Sequence, residues 1–108
     1  MTLQCKLATF GARMADVVPN AFHYWRPQMA APFLVWAETG ESDPFDGENR
    51  KQEQTINISV DYYTKTEFDP VVDEIQAELN NGCLSWRLDA VEFEEDTELI
   101  HYTWAVVL

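Results

Sequence analysis

Few side chains in this sequence are of the kind that carry covalent chemistry. The histidines are His23 and His101, and the cysteines are Cys5 and Cys83. Nucleophilic catalysis needs a nucleophile held beside a base that a third group orients, and no local motif brings such groups together. His23 lies in the aromatic run Phe22-His23-Tyr24-Trp25 and reads as packing. His101 falls on the polar side of an alternating strand and reads as a solvated or cross-strand residue. The expectation is therefore that the chain has no catalytic residues and is not an enzyme. The remaining candidate chemistry is acidic. Asp43, Asp46 and Glu48 surround Gly47 and offer oxygen ligands of the kind Ca²⁺ takes. Their spacing lacks the alternating carboxylates and the distal glutamate of an EF-hand loop, so they read as a solvated loop. Neither a metal nor a cofactor is expected.

Charge narrows the partners. The net charge is −12, and it is unevenly placed. Residues 1–40 carry Lys6, Arg13 and Arg26 against Asp16 and Glu38, a balance of +1, which leaves −13 on residues 41–108. Such a field repels DNA and anionic membranes. The four tryptophans, Trp25, Trp36, Trp86 and Trp104, are not set among a run of Lys and Arg that could hold a phosphate backbone. They belong to the core and to protein interfaces. The two cysteines form no CxxC pair and suit a reducing compartment. Leu3-Gln4-Cys5 follows neither a charged nor an apolar leader region, and no apolar run approaches the ~20 residues of a membrane span. A soluble protein is expected. At 108 residues it reads as one domain, 1–108, able to bury roughly 65% of its unfolded surface.

The elements that must position these groups alternate between helical and strand periods. Leu3, Leu7, Phe10, Met14, Val17 and Val18 share a helix face, with Thr2 as N-cap, Gly11 in the interior and Pro19-Asn20 as the stop. Gly11 weakens that helix by ~1 kcal/mol relative to Ala. Residues 21–26 read as a short strand of edge type that Pro27 ends. Phe33 to Glu38 is apolar on both faces, so it needs two covers, and in a small domain another subunit can supply the second. Residues 54–64 alternate cleanly, with Ile56, Ile58, Val60 and Tyr62 pointing one way. Thr66 or Asp69 caps a second helix with Pro70 in its first turn and Phe68, Val71, Val72, Ile75 and Leu79 on its apolar face. Asn80-Asn81-Gly82 ends it. Residues 83–93 and 98–107 form a final hairpin whose connection, Glu94-Glu95-Asp96-Thr97, has no Gly to set its type. The order α-β-β-(long loop)-β-α-β-β predicts an α+β fold with a mostly antiparallel sheet packed by two helices. The long acidic loop, at about 39–53, projects, because loops of that length inside small domains are functional or disordered.

Four segments together carry a resemblance. Asn20-Ala21-Phe22-His23-Tyr24-Trp25, Pro32-Phe33-Leu34-Val35-Trp36, Thr39-Gly40-Glu41-Ser42-Asp43-Pro44-Phe45 and Tyr62-Tyr63-Thr64-Lys65 follow one another before an acidic helix. This order resembles the small tail terminator (tail completion, head–tail joining) proteins of long-tailed bacteriophages and prophages. There, segments of the type aYdhF, PPFivY, tGsdnfgAdn and elYTKkkD occur in the same order. The likeness spans nearly the whole chain. The sequence departs in its longer Met29-Ala30-Ala31 lead-in and its more acidic loop. The resemblance implies a subunit that joins copies of itself into a ring, typically a hexamer, at the head-proximal end of the tail tube. The ring stops tube polymerisation and meets the neck (head–tail connector) proteins. It further implies assembly in the host bacterial cytoplasm, residence in the virion tail, and DNA passing through a channel without binding. In that setting Glu41, Asp43, Phe45, Asp46, Glu48, Arg50 and Lys51 are the expected contact residues, with Phe45 as apolar anchor. A compact acidic domain also suits a rival class, a monomeric inhibitor or DNA mimic of phage origin.

Overall fold

The computed structural model describes residues 2–42 and 54–108. Helix α1 spans Leu3–Val17 and α2 Pro70–Gly82; the strands are β1 Ala21–His23, β2 Phe33–Glu41, β3 Ile56–Thr64, β4 Ser85–Glu94 and β5 Leu99–Val107. The strands form one sheet in the order β1-β2-β3-β5-β4, antiparallel except for the parallel β1–β2 pair. The fold is thus α+β, with a mostly antiparallel sheet and two helices, as the periodicities predict.

Both helices pack on one face of the sheet. Leu7, Phe10 and Met14 of α1 and Ile75 and Leu79 of α2 meet Leu34, Trp36, Ile58, Val60, Tyr62, Trp104 and Val106 in a single apolar core. Burial of large side chains at ~25 cal/mol per Å² is what holds such layers together. Thr2 caps α1 by accepting from the Cys5 N–H at 3.1 Å. Gly11 has a packing reason: a Cβ there would stand 2.7 Å from Cζ2 of Trp36. The helix gives up propensity so that the indole can lie against it.

Two expectations for β1 and β2 change. The strand expected over residues 21–26 stops at His23, where Tyr24 turns the backbone to φ 77°, before Pro27 is reached. The second cover of β2 comes from the chain itself. Because β1 runs parallel to β2, the connection 24–32 must return along the sheet, and it does so over the far face. There Phe33, Val35, Tyr63 and Leu99 pack with Phe22 and Ala31. Another subunit is not needed for that purpose.

In α2 the cap is Asp69, whose Oδ1 accepts from the Val71 N–H at 2.9 Å, and Pro70 follows it at the first helical position. Phe68 does not join the apolar face. It lies before the helix with φ 57° and is 90% exposed. In the last hairpin the missing glycine is replaced by Glu98, held at φ 58°. The Thr97 hydroxyl donates to Glu94 at 2.9 Å across the same turn.

Candidate functional site

The expected contact residues Asp43, Phe45, Asp46, Glu48, Arg50 and Lys51 lie outside the described residues; Glu41 is described, at the end of β2. What the structure does place is the stem from which that segment springs. β2 and β3 pair up to Glu41↔Ile56. Beyond the ladder the Ser42 N–H donates to Thr55 O at 3.0 Å, and the Gln54 amide donates to Glu41 Oε1 at 3.1 Å. The Lys6 ammonium of α1 donates to Gln54 O. The stem is therefore tied both across the hairpin and to the helix layer.

A polar network that the residue spacing did not reveal sits on the far face. Asp61 of β3 and His101 and Thr103 of β5 are cross-strand neighbours. His101 Nε2 lies 2.7 Å from Asp61 Oδ1, and the Thr103 hydroxyl donates to the same oxygen at 2.8 Å. A carboxylate only accepts, so the Nε2 position carries the proton. The other ring nitrogen, Nδ1, is 3.5 Å from Glu94 Oε2. Burial works against the charge of Asp61, but the bonds from His101 and Thr103 outweigh it and hold its pKa below the ordinary carboxylate range. Glu94 is held low in the same way, against its desolvation, by Arg26 and Thr97.

Arg26 completes this network from the connection 24–32. Its guanidinium stands 4.5 Å from the ring centroid of Tyr63 and 5.8 Å from that of Phe33, and bonds Glu94 at 3.1 Å. Phe33 and Tyr63 are themselves stacked at 4.8 Å. The chain 24–32 is thereby strapped down across β2, β3 and β4. His101 thus reaches Asp61 through Nε2 at 2.7 Å and faces Glu94 through Nδ1 at 3.5 Å. The arrangement is an electrostatic clasp.

His23 is a packing residue, as its aromatic setting implied. It is stacked between Tyr24 at 3.7 Å and Trp36 at 3.9 Å, and Nε2 meets Glu38 at 2.7 Å. Cys5 and Cys83 are free, and burial pushes the Cys83 thiol up to about 11, so at neutral pH it is not a thiolate. Among the described residues no group of three or more His, Cys, Asp and Glu is arranged to hold a metal ion, and no helix is long and apolar enough to cross a membrane.

Beyond the strap the far face is open. A shallow concavity of about 520 Å³ is floored by Asn57, Ser59, Thr103 and Ala105 and edged by Arg87 and Asp89. Three of the four segments that carry the tail terminator resemblance, 20–25, 32–36 and 62–65, meet at the other end of the sheet, whereas Thr39 lies at the concavity. The Leu34 N–H donates to Asn20 O, the Tyr24 N–H donates to Trp36 O, both at 2.9 Å, and Phe33 pairs with Tyr63. No protein-family model matches the sequence, and no curated protein is significantly similar to it.

Proposed function

We propose that this chain is a tail terminator subunit of a long-tailed phage or prophage. In this role it forms a ring on the head-proximal end of the tail tube, stops the tube and receives the neck proteins. The observation that carries the reading is the fixed β2–β3 stem, whose last described residues, Ser42 and Gln54, flank the acidic eleven-residue stretch 43–53. A stem tied at Ser42–Thr55 and Lys6–Gln54 gives a contact arm a rigid root, which lowers the entropy lost when it docks. In this reading Glu41, Asp43, Phe45, Asp46, Glu48, Arg50 and Lys51 belong to the arm. The adjacency of three of the shared segments, 20–25, 32–36 and 62–65, on neighbouring strands β1, β2 and β3 also supports it. The role is one of binding, without catalysis or cofactor, and the −13 on residues 41–108 suits a channel wall past which DNA slides.

Deletion of the gene during tail production tests the proposal. Tails of abnormal, extended length support it; tails of normal length refute it. A protein that stays a monomer beside tails and tubes and instead captures a nuclease or repressor belongs to the inhibitor class.

A further inference from the structure

Among the described residues strand β4 has a neighbour on one side only, and the phase of its ladder fixes what its outer side presents. Ile56 and Leu108 exchange both backbone bonds, at 3.2 and 2.8 Å, so the even-numbered residues of β5 direct their N–H and C=O groups to β3 and the odd-numbered ones to β4. Ser85, Arg87, Ala90, Glu92 and Glu94 are opposite those odd residues and spend their groups on β5. Trp86, Leu88, Val91 and Phe93 therefore direct theirs outward. The side chains of these same four residues share the helix-covered face, being paired with Val106, Trp104, Tyr102 and Ile100. In an unbroken strand, residues three apart lie on opposite faces. The register shift between Leu88 and Ala90 brings Leu88 and Val91 to one face. Leu88, Val91 and Phe93 are 43%, 51% and 62% exposed, whereas Trp86 is drawn to α2 by its bond to Asn80 at 2.7 Å.

We propose that a second copy of this chain pairs with β4 in antiparallel fashion, about a two-fold axis between Asp89 and Ala90. The bulge selects this register. It alone sets outward-directed residues opposite one another on both sides of the irregularity and keeps their side chains on one face. Leu88 then faces Val91 of the partner subunit, and Trp86 faces Phe93 of the partner subunit. Four such pairs give about eight main-chain hydrogen bonds. The same register sets Arg87 opposite Glu92 of the partner subunit, twice, on the far face. Charges and bulges on an edge usually guard against pairing; here the one cation of β4 falls opposite an anion in the one register the apolar residues allow. That self-complementarity is the mark of a two-fold interface and points to a copy of the chain as occupant. A two-fold pair does not by itself close a cyclic ring. It is the form of the free protein, with the apolar edge covered, and it stands whether or not the tail terminator reading does.

Sedimentation velocity on the purified protein tests this pairing, with circular dichroism to confirm that each variant is folded. Wild type is expected to be a dimer at tens of micromolar. Arg87→Glu and Glu92→Arg are each expected to weaken dimerisation at least tenfold, because each sets like charges opposite one another twice, and the double variant Arg87→Glu/Glu92→Arg is expected to restore it. A wild-type monomer at millimolar concentration overturns the proposal. So does an oligomer indifferent to the single changes, or a double variant no better than the singles.

Discussion

Replacing Asp69 by Ala is expected to destabilise the fold by about 3 kcal/mol, through one carboxylate that serves two elements. Oδ1 caps α2 at the Val71 N–H, and losing such a cap costs about 1 kcal/mol. Oδ2 accepts the Tyr62 hydroxyl at 2.7 Å and the Thr64 hydroxyl at 2.8 Å. Tyr62 and Thr64 are 0% and 1% exposed, so neither donor can turn to water when the carboxylate is removed. A buried donor left without a partner costs at least about 1 kcal/mol, which adds about 2 for the pair. Urea unfolding followed by circular dichroism should show the loss in the midpoint with an unchanged slope, and the melting temperature should fall by roughly 15 °C. Removing the orphaned hydroxyl as well closes a double-mutant cycle. Tyr62→Phe should cost about 1 kcal/mol in wild type and almost nothing in Asp69→Ala. A loss below about 1 kcal/mol for Asp69→Ala, or equal costs of Tyr62→Phe in both backgrounds, would refute the assignment of Asp69 as the link between β3 and α2.

Further outcomes follow from single contacts. Gly11→Ala should lower stability by about 1–2 kcal/mol in thermal melts despite its better helix propensity, because the new Cβ meets the Trp36 ring at 2.7 Å. Glu98→Gly should raise stability by about 1 kcal/mol, since it relieves a left-handed residue at φ 58°. Acid should weaken the fold through Asp61, whose native pKa is depressed. Its stabilising share is complete above the unfolded carboxylate value of about 4 and is lost as pH falls toward the native one. The decline of the urea midpoint between pH 5 and pH 3 should accordingly be shallower in Asp61→Asn than in wild type.

Most of the layer structure was legible because it rests on period. Ile56, Ile58, Val60 and Tyr62 alternate and are buried as a row, and Thr2 and Pro70 mark helix starts by local chemistry. The parallel setting of β1 was not legible. It depends on where the connection 24–32 crosses, and there Arg26 meets Tyr63 and Glu94, residues 37 and 68 positions away. Helical spacing puts Phe68 on the apolar face of α2, because spacing cannot register a backbone turned to φ 57° just outside the cap. The Asp61–His101–Thr103 clasp needed the β3–β5 register, which alternation alone leaves free. The β4 bulge did leave a trace in the sequence. Apolar residues fall at even positions through Leu88 and at odd positions from Val91, a change of phase that marks the inserted residue.

The length of tails assembled without this protein, read by electron microscopy, tests the proposed role most directly. The tail terminator reading predicts tubes that run past their normal length and fail to join heads. Tails of normal length that join heads would contradict it.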